Sequence, residues 1–347
     1  MIRAVPERKP DPRKVLVTGA AGYIGSVLVS HLLAEGYRVA AVDRLMYGGD
    51  ALVPHLRHPR FALRHCDVRE IGAYRDALMA TDAVVHLAAV VGFPACAKMP
   101  EKEVWEVNYQ GTLDLLAEAD RSGARRFVFA SSYSNYGVAD ESALVTEESP
   151  LHPQSRYAET KVAAESSIRQ QASSLRIQPV LLRLGTVFGL SPRMRFDLMV
   201  NQFVLEAHTA RQIVLFQPDA ARSFLHVFDA ARAIRMAIAW PGDDVSGEVF
   251  NVGSEAANMT KRGLADLVAR HVPGTTLRIE DVEFDGDVRS LRLSCEKIRR
   301  VLRFQTTVSV DAGVEEIIEA LDARYYHSPE SGYHYNAKLV SEARGGG

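Results

Sequence analysis

The sequence predicts an α/β protein in which helices cover both faces of a doubly wound parallel sheet, with a smaller, partly interleaved second lobe. Apolar runs of strand length alternate with helical patterns from residue 14 to about residue 185, as such a sheet requires. Between the first strand and the first helix lie Gly19, Gly22 and Gly25, at the spacing of a tight strand-to-helix turn. Because the regular alternation ends after about residue 190, we place the second lobe in the residues that follow.

The glycine-rich turn suits the pyrophosphate of a dinucleotide. Residues 15–17 form a buried apolar run, and Val27, Leu28, Leu32 and Leu33 then recur at helical spacing. One glycine allows the tight turn, one lets the backbone approach a pyrophosphate, and one lets helix and strand pack closely. The helix N-terminus adds backbone N–H groups and a partial positive charge.

An acidic residue in the expected place supports this interpretation. A second apolar run, residues 38–42, ends in Asp43, about 20 residues after the glycines. A carboxylate at that position can accept hydrogen bonds from the adenosine ribose. Asp43 favours NAD, because the 2'-phosphate of NADP would meet its negative charge. Arg44 is the next residue, and it leaves NADP open as an alternative.

The remaining elements continue the pattern. Further strands are predicted at residues 61–65, 83–86, 126–130 and 180–183, and helices at residues 103–119 and 156–171. Asp67 ends the third strand, where it could hydrogen-bond the adenine amine or cap the segment that follows. Leu87, Ala88 and Ala89 follow the fourth strand, and small residues there let the backbone pass close to a ligand. Asn108, inside a predicted helix, could bond backbone elsewhere.

Composition excludes several classes of protein. The 347 residues carry a formal net charge of -2, which gives no electrostatic reason to expect nucleic acid or an anionic membrane as a partner. Cys66, Cys96 and Cys295 are too scattered for a disulfide framework or a metal cluster. The first residues contain no apolar core for a signal peptide, and no run has the length of a membrane span. We therefore expect a cytoplasmic protein without a metal site.

A second constellation follows the fifth predicted strand. Ser132 ends that strand, and Tyr157 and Lys161 lie four residues apart on the next helix, where they share a face. A free tyrosine has a pKa of about 10, and a nearby ammonium lowers the pKa of a phenol because it stabilises the phenolate. Chance spacing would explain the Tyr-Lys pair alone. Its position after the glycine turn and a serine-rich strand end favours acid–base catalysis.

Together these features resemble the extended short-chain dehydrogenase/reductases, in the branch of nucleotide-sugar epimerases and dehydratases, over roughly residues 13–325. The residues that carry the resemblance are Gly19 to Gly25, Asp43, Asp67-Val68, His86 to Ala89, Asn108, Ser131-Ser132, Tyr136-Gly137, Tyr157, Lys161 and Arg222 to Val227. The resemblance implies a Rossmann-type sheet, NAD as cofactor and a nucleotide-diphosphate sugar as substrate. It also implies a homodimer in which helices at about 98–121 and 154–176 pair with their equivalents.

The resemblance also implies a role for each site residue. The catalytic residues would be Ser132, Tyr157 and Lys161. The cofactor would contact Gly19, Gly22, Tyr23, Ile24, Gly25, Asp43, Arg44, Asp67, Val68, Leu87, Ala88, Ala89, Asn108, Ser131, Tyr157 and Lys161. The substrate would contact Val91, Ser132, Tyr133, Ser134, Thr186, Arg193, Arg195, Asn201, Arg222 and Arg289. Of these, Arg222 and Asn201 correspond to positions that hold the nucleotide diphosphate in the family, whereas Arg193 and Arg195 could equally make ordinary surface pairs.

Departures from the family pattern restrict the reaction. Family 4,6-dehydratases carry an Asp-Glu pair directly after the catalytic Ser or Thr, and Tyr133 and Ser134 stand there instead. Thr186 replaces a frequent Asn after the sixth strand. An arginine often found before a late Gly-Asp is missing, with Phe284 near its place, and Arg289 could substitute for it.

The sequence therefore predicts an NAD-dependent epimerase that acts at C4 of a nucleotide-activated sugar through a transient 4-keto intermediate. One alternative is an NAD(P)H-dependent reductase of a nucleotide 4-keto-sugar, which would consume its cofactor. Another is a non-catalytic NAD(P)-binding sensor, although such proteins typically lack part of the Tyr-Lys pair. We expect a cofactor domain at residues 13–190, a mainly substrate-binding lobe at 191–325, and a polar tail at 326–347 that is mobile or depends on a partner.

Overall fold

The computed structural model describes residues 13–137, 144–280, 290–326 and 328–345. Its strands are β1 Lys14–Thr18, β2 Arg38–Asp43, β3 Phe61–His65, β4 Ala83–His86, β5 Arg126–Ser132, β6 Leu144–Val145, β7 Gln178–Leu184, β8 Thr186–Phe188, β9 Gln212–Leu215, β10 Ala221–His226, β11 Glu248–Val252, β12 Asn258–Thr260, β13 Thr276–Ile279 and β14 Arg292–Leu293. Its α-helices are α1 Tyr23–Ala34, α2 Arg75–Met79, α3 Phe93–Lys98, α4 Glu101–Trp105, α5 Gly111–Ser122, α6 Arg156–Gln171, α7 Met199–Ala210, α8 Val227–Ala239, α9 Lys261–His271, α10 Glu296–Val301, α11 Val310–Asp322 and α12 Asn336–Gly345.

A seven-stranded parallel sheet forms the centre of the molecule. Its strand order is β11-β7-β5-β4-β1-β2-β3, and every neighbouring pair runs parallel. The chain leaves β1 toward β2 on one side and later returns to β4 on the other side. In sheets of this kind ligands bind at such a reversal, beyond the carboxyl ends of the strands. The predicted doubly wound α/β fold is confirmed.

The apolar strands are buried on both faces. In β1, Val15 and Val17 pack into one core cluster and Leu16 packs into another on the opposite face of the sheet. Successive side chains of a strand point to opposite faces, so a strand covered on both sides needs a continuous apolar run. This requirement explains why the run at residues 15–17 is unbroken by polar residues.

The second lobe has its own core and also contributes to the central sheet. The three-stranded sheet β12-β10-β8 packs with α7, α9 and α11 around a third apolar cluster. Strand β11, although it comes after residue 190, pairs with β7 in the central sheet. The two parts of the chain are therefore interleaved, while the domain bounds at 190 and 325 stay predictions.

The segment predicted as a polar tail packs against the rest of the chain between residues 328 and 340, while its mobility or dependence on a partner stays a prediction. Val340 in α12 is 1% exposed and belongs to a core cluster beside the central sheet. The ring of His334 packs edge-on against Phe196 and Tyr326. The packing contacts come from apolar and aromatic side chains spaced among polar residues. The average composition of the segment is polar and therefore does not indicate them.

The helix predicted at residues 103–119 is longer and interrupted. Helix α4 passes into a π-helical turn, Glu106–Gln110, and then into α5. Such turns occur frequently at functional sites. No helix within the described ranges is both long and apolar enough to cross a membrane.

Candidate active site

One cavity lies beyond the carboxyl ends of the central strands and has a volume of about 320 Å³. It brings together most residues predicted to bind the cofactor. Those in its lining are Gly19, Gly22, Tyr23, Ile24, Gly25, Asp43, Arg44, Asp67, Val68, Leu87, Ala88, Ala89, Ser131, Tyr157 and Lys161. The cavity therefore spans from the end of β3 to the helix that carries the Tyr-Lys pair.

The glycine turn has the shape that a dinucleotide pyrophosphate requires. Gly19 has a φ of +69°, and a Cβ added there would lie 2.7 Å from the backbone nitrogen of Ala88. A Cβ on Gly25 would collide with the carbonyl oxygen of Gly19. Within the described residues, no side chain caps the N-terminus of α1, and its first turn holds no acidic residue. Its N–H groups, which lack partners inside the helix, can therefore serve an anion.

Asp43 joins the glycine turn to the end of β2. Its carboxylate accepts hydrogen bonds from the backbone N–H groups of Ala21 at 2.9 Å and Leu45 at 2.8 Å. Burial raises the pKa of this carboxyl, and the two backbone donors oppose that shift. Asp43 also lines the cavity, so the acceptor capacity left on its oxygens suits ribose hydroxyls.

Asp67 is held by two arginines. It accepts hydrogen bonds from Arg69 at 2.9 Å and pairs with Arg44 at 3.3 Å. Burial alone would raise the pKa of Asp67, but the Arg69 hydrogen bonds and the Arg44 charge lower it below its ordinary value. Its Oδ1 also accepts the backbone N–H of Arg69 at 3.0 Å, so Asp67 caps the turn that directly follows, one of the two roles considered from the sequence. The other role, a hydrogen bond to the adenine amine, stays a prediction.

The three predicted catalytic residues meet at the other end of the cavity. Ser132 ends β5, and α6 carries Tyr157 and Lys161. The Lys161 ammonium donates to the Ala130 carbonyl oxygen at 2.8 Å and lies 6.0 Å from the centre of the Tyr157 ring. Burial lowers the pKa of Lys161 to about 8. The Ser132 hydroxyl lies 2.6 Å from that of Ser134.

Asn108 lies in the π-helical turn and outside the cavity lining. Its side chain accepts from the backbone N–H of Val90 at 2.8 Å and donates to the carbonyl oxygen of Val90 at 3.0 Å. It also donates to the Thr160 hydroxyl at 3.2 Å. Asn108 thus connects the loop after β4 to the helix of the Tyr-Lys pair, which agrees with the backbone-bonding role considered from the sequence.

A buried charged network supports the end of β5. The Glu165 carboxylate accepts from the Ser131 hydroxyl at 2.6 Å and forms an ion pair with Arg183, and both charged side chains are 2% exposed or less. Arg183 also donates to the Tyr136 hydroxyl at 2.6 Å. Glu165 and Arg183 were missed in the sequence because they stand in a helix and a strand far apart along the chain.

Six of the predicted substrate residues line the cavity, namely Val91, Ser132, Tyr133, Thr186, Arg193 and Arg195. Ser134 lies behind Ser132, and its backbone N–H donates to the Ser132 hydroxyl at 3.1 Å. Arg289 and Phe284 lie outside the described residues. Cavity-lining residues that sequence reasoning missed include Tyr47, Val90, Leu198 and Asn336.

Asn201 and Arg222 lie outside the cavity lining. The Asn201 amide accepts from the Gly189 N–H at 3.0 Å and donates to the Tyr23 hydroxyl at 3.1 Å, so it joins the second lobe to the cofactor turn. Arg222 is 3% exposed and donates to the Ala221 carbonyl oxygen at 3.0 Å. Contact of either side chain with a substrate diphosphate therefore stays a prediction.

The geometry of this site, with a glycine turn at one end and a Ser-Tyr-Lys group at the other, agrees with a family match. Residues 15–253 match the model of the NAD dependent epimerase/dehydratase family. The chain belongs to this family. NAD is accordingly its cofactor, and the glycine turn and Asp43 fit that cofactor.

Similar members of the family catalyse different reactions. A UDP-glucose 4-epimerase from Corynebacterium glutamicum is 27% identical, over 83% of this chain and 89% of that protein. The structure of a dTDP-glucose 4,6-dehydratase from Streptomyces venezuelae with NAD bound is 28% identical, with a TM-score of 0.78, and covers 90% of this chain and 98% of that one. The structure of MoeE5 in complex with UDP-glucuronic acid and NAD is 29% identical, with a TM-score of 0.76, and covers 89% and 99% of the two chains.

Proposed function

We propose that this protein is an NAD-dependent epimerase that inverts C4 of the sugar in a nucleotide-diphosphate sugar. The observation that carries the proposal is the position of the carboxylates. Among the described residues that line the cavity, the acidic ones are Asp43 and Asp67. Asp43 ends β2 and Asp67 follows β3, whereas Ser132 ends β5, which lies three strands from β2 and therefore roughly 14 Å away.

This placement argues against 4,6-dehydration. Elimination of water between C5 and C6 needs an acid and a base beside the sugar, and in family dehydratases these directly follow the catalytic Ser or Thr. Here Tyr133 and Ser134 occupy those positions. The Tyr133 hydroxyl is hydrogen-bonded to the Thr186 hydroxyl and the Ser134 hydroxyl to that of Ser132. We therefore assign these hydroxyls a hydrogen-bonding role toward the sugar and not the acid and base roles of the dehydratase carboxyl groups.

The chemistry assigned to the chain's own residues is proton transfer. When bound, NAD would supply the hydride acceptor and donor for the sugar carbon. The Tyr157 oxygen, as phenolate, accepts the proton of the C4 hydroxyl and becomes a phenol while the carbinol becomes a ketone. The Lys161 ammonium stabilises the phenolate electrostatically, and the Ser132 hydroxyl can donate a hydrogen bond to the same sugar oxygen.

Inversion requires that the ketone present its other face before the carbinol forms again. Tyr157 then returns its proton to the oxygen, so protons and electrons balance and the cofactor ends in its starting state. Tyr133 and Thr186 line the same cavity and offer a polar wall to the sugar during this turn. Arg193 and Arg195, also in the lining, are the candidates for binding the substrate diphosphate, since guanidinium groups bind phosphate oxygens with two parallel hydrogen bonds.

We also propose that the chain forms a homodimer through α4, α5 and α6. Along α4 and α5, Trp105, Tyr109 and Leu113 are half-buried in the monomer and recur every four residues, which gives an apolar stripe on one helix face. Leu116 is 1% exposed and belongs to the core, so it is not part of this stripe. Val162 and Ala163 on α6 are half-buried as well.

Analysis of the bound cofactor tests the reaction. The purified protein is denatured, the released cofactor is identified, and turnover is then measured without added reduced cofactor. The proposal expects NAD and sustained conversion of a nucleotide sugar to its epimer. A requirement for one equivalent of NADH or NADPH per product would instead indicate the 4-keto-sugar reductase. A protein that binds the cofactor but converts no nucleotide sugar would indicate the sensor.

A further inference from the structure

Arg193 is a buried cation in the cavity wall, and none of the described carboxylates forms an ion pair with it. Its side chain is 1% exposed. Its Nη1 donates to the carbonyl oxygen of Met194 and its Nη2 to the Oδ1 atom of Asn336, each at 2.9 Å. Its Nε is buried without a hydrogen-bond partner in the described structure. A buried donor left in this state costs free energy, so it points to a ligand that would satisfy it.

The neighbouring arginine shows the contrast. Arg195 makes two hydrogen bonds to Asp197, at 2.9 and 3.0 Å, and so has a carboxylate partner within the chain. No carboxylate of the described residues lies within ion-pair distance of Arg193. Burial lowers the pKa of Arg193, and the charge of Arg195 lowers it further. Both effects favour an anion beside Arg193, because an anion would offset the burial of its charge.

The guanidinium of Arg193 lies close to two aromatic rings. Its central carbon lies 5.1 Å from the centre of the Tyr47 ring and 5.3 Å from that of Tyr333. Tyr47 belongs to the loop after β2, and Tyr333 comes from near the end of the chain. Ring faces and a neutral amide oxygen hold a guanidinium in one orientation without cancelling its charge.

We call residues 328–345, which supply Tyr333 and Asn336, the C-terminal clasp. It joins the loop of the two arginines through backbone hydrogen bonds. The N–H of Phe196 donates to the carbonyl oxygen of His334 at 3.1 Å, and the N–H of Asn336 donates to the Asp197 carboxylate at 3.1 Å. The family match ends at residue 253, well before the clasp.

We propose that the C-terminal clasp completes the substrate site and that Asn336 is the positioning residue that holds Arg193 ready for the anionic group of the nucleotide sugar. The inference rests on the proposed function for the identity of the ligand as a nucleotide-diphosphate sugar. Asn336 supports the guanidinium with a neutral oxygen, which leaves the positive charge available to the ligand. An acidic residue at this position would fill the anion site from within the chain.

The variant Asn336→Asp separates this role from simple packing. Its carboxylate would pair with Arg193, so we expect an unchanged or higher melting temperature. The same carboxylate would compete with a diphosphate, so we expect the affinity for UDP and dTDP to fall by about tenfold or more, the usual value of a charge-assisted hydrogen bond. Asn336→Ala, which leaves Arg193 less well held, should weaken the same affinity by a smaller factor.

The control is Ser331→Asp, which adds a carboxylate to the clasp outside the cavity lining. Ser331 is exposed and caps a short helical turn, and Asp is an equally good cap there. Titration calorimetry with UDP and with dTDP is run on the holoenzyme, and the NAD content is measured for each variant. The proposal expects the Ser331 variant to bind like wild type and all variants to retain NAD.

Equal affinity of wild type and Asn336→Asp for whichever nucleoside diphosphate binds would overturn the inference, since an internal carboxylate beside a true anion site must compete. The inference would also be overturned if Asn336→Asp and Ser331→Asp lost affinity to the same extent. The loss would then come from the added negative charge in general and not from a carboxylate beside Arg193. These outcomes do not depend on turnover. A protein that binds UDP through Arg193 and epimerises nothing would leave the inference standing and refute the proposed function.

Discussion

The hydroxyl of Tyr133 lies 2.5 Å from the hydroxyl of Thr186, across the cavity wall between the ends of β5 and β7. Tyr133 stands at the first position of the Asp-Glu pair that family 4,6-dehydratases carry, and Thr186 replaces an Asn that is frequent in the family. The pair offers hydrogen bonds to a sugar hydroxyl and contains no carboxyl group. It therefore favours a reaction that moves only the hydride and the hydroxyl proton at one carbon.

Replacing Tyr157 with Phe tests the proton acceptor. The change removes one oxygen from a half-buried ring and leaves the packing nearly intact. Loss of a general base commonly costs about 10²- to 10⁴-fold in rate, so we expect kcat to fall by that factor while NAD content and melting temperature stay near wild type. Turnover close to that of wild type would show that another group accepts the proton.

The alkaline limb of the pH profile should report Lys161. Burial lowers the pKa of Lys161 to about 8, so the ammonium loses its charge as the pH rises through that value. The phenolate of Tyr157 then loses its cationic neighbour, and kcat/KM should decline above about pH 8. A profile that stays flat to pH 10 would contradict this assignment.

The lowered pKa of Lys161 also predicts an effect on stability: the charged form that supports activity destabilises the fold. The fold disfavours the charged form of Lys161, so the penalty is present below about pH 8 and disappears as the pH rises toward the unfolded value of 10.5. Lys161→Met removes the ammonium and should be inactive. It also removes the penalty for burying a charge, so the gain in its free energy of unfolding over wild type should be largest near pH 7. Urea unfolding of both proteins at pH 7 and pH 10 measures this, and a difference that grows with pH would contradict it.

Asp43 should set the cofactor preference. Asp43→Ala removes the expected acceptor for the ribose hydroxyls and should lower the affinity for NAD by about tenfold or more. The difference in affinity between NAD and NADP should become smaller. Because Asp43 also accepts from Ala21 and Leu45, some loss of stability will accompany the change. Asp43→Asn is the control for size. A wild-type protein that prefers NADP would refute the role of Asp43 at the 2'-hydroxyl.

The dimer has a direct test in sedimentation. We expect wild type to sediment as a dimer at micromolar concentration, and Leu113→Glu, in the half-buried apolar stripe of α5, to shift it toward monomer. Met79→Glu is a matched control, because Met79 is 49% exposed on another helix. A wild-type monomer under these conditions would refute the proposed dimer.

Local pattern explains what the sequence could predict. The strands, the glycine turn, Asp43 and the Tyr-Lys pair are each defined by residues within a few positions of one another, where periodicity and steric rules apply. The π-helical turn at Glu106–Gln110 escaped prediction because one extra residue in a turn hardly changes an apolar pattern.

The rest of the site depends on contacts between distant residues. Asn336 meets Arg193 across 143 positions of the chain, and no local signal in a polar C-terminal segment indicates such a contact. The orientation of Arg222 is equally a matter of tertiary packing. A motif assigned it to the substrate, and its side chain lies outside the cavity lining.

The most direct test of the proposed epimerase is incubation with UDP- and dTDP-hexoses in D₂O, without reduced cofactor, followed by proton NMR. A hydride that leaves C4 and returns within the site does not exchange with solvent. We therefore expect the C4 epimer to form with protium retained at C4 and with no change at C6. A 4-keto-6-deoxy product, deuterium at C4 of the epimer, or conversion only after addition of NADH or NADPH would contradict the account.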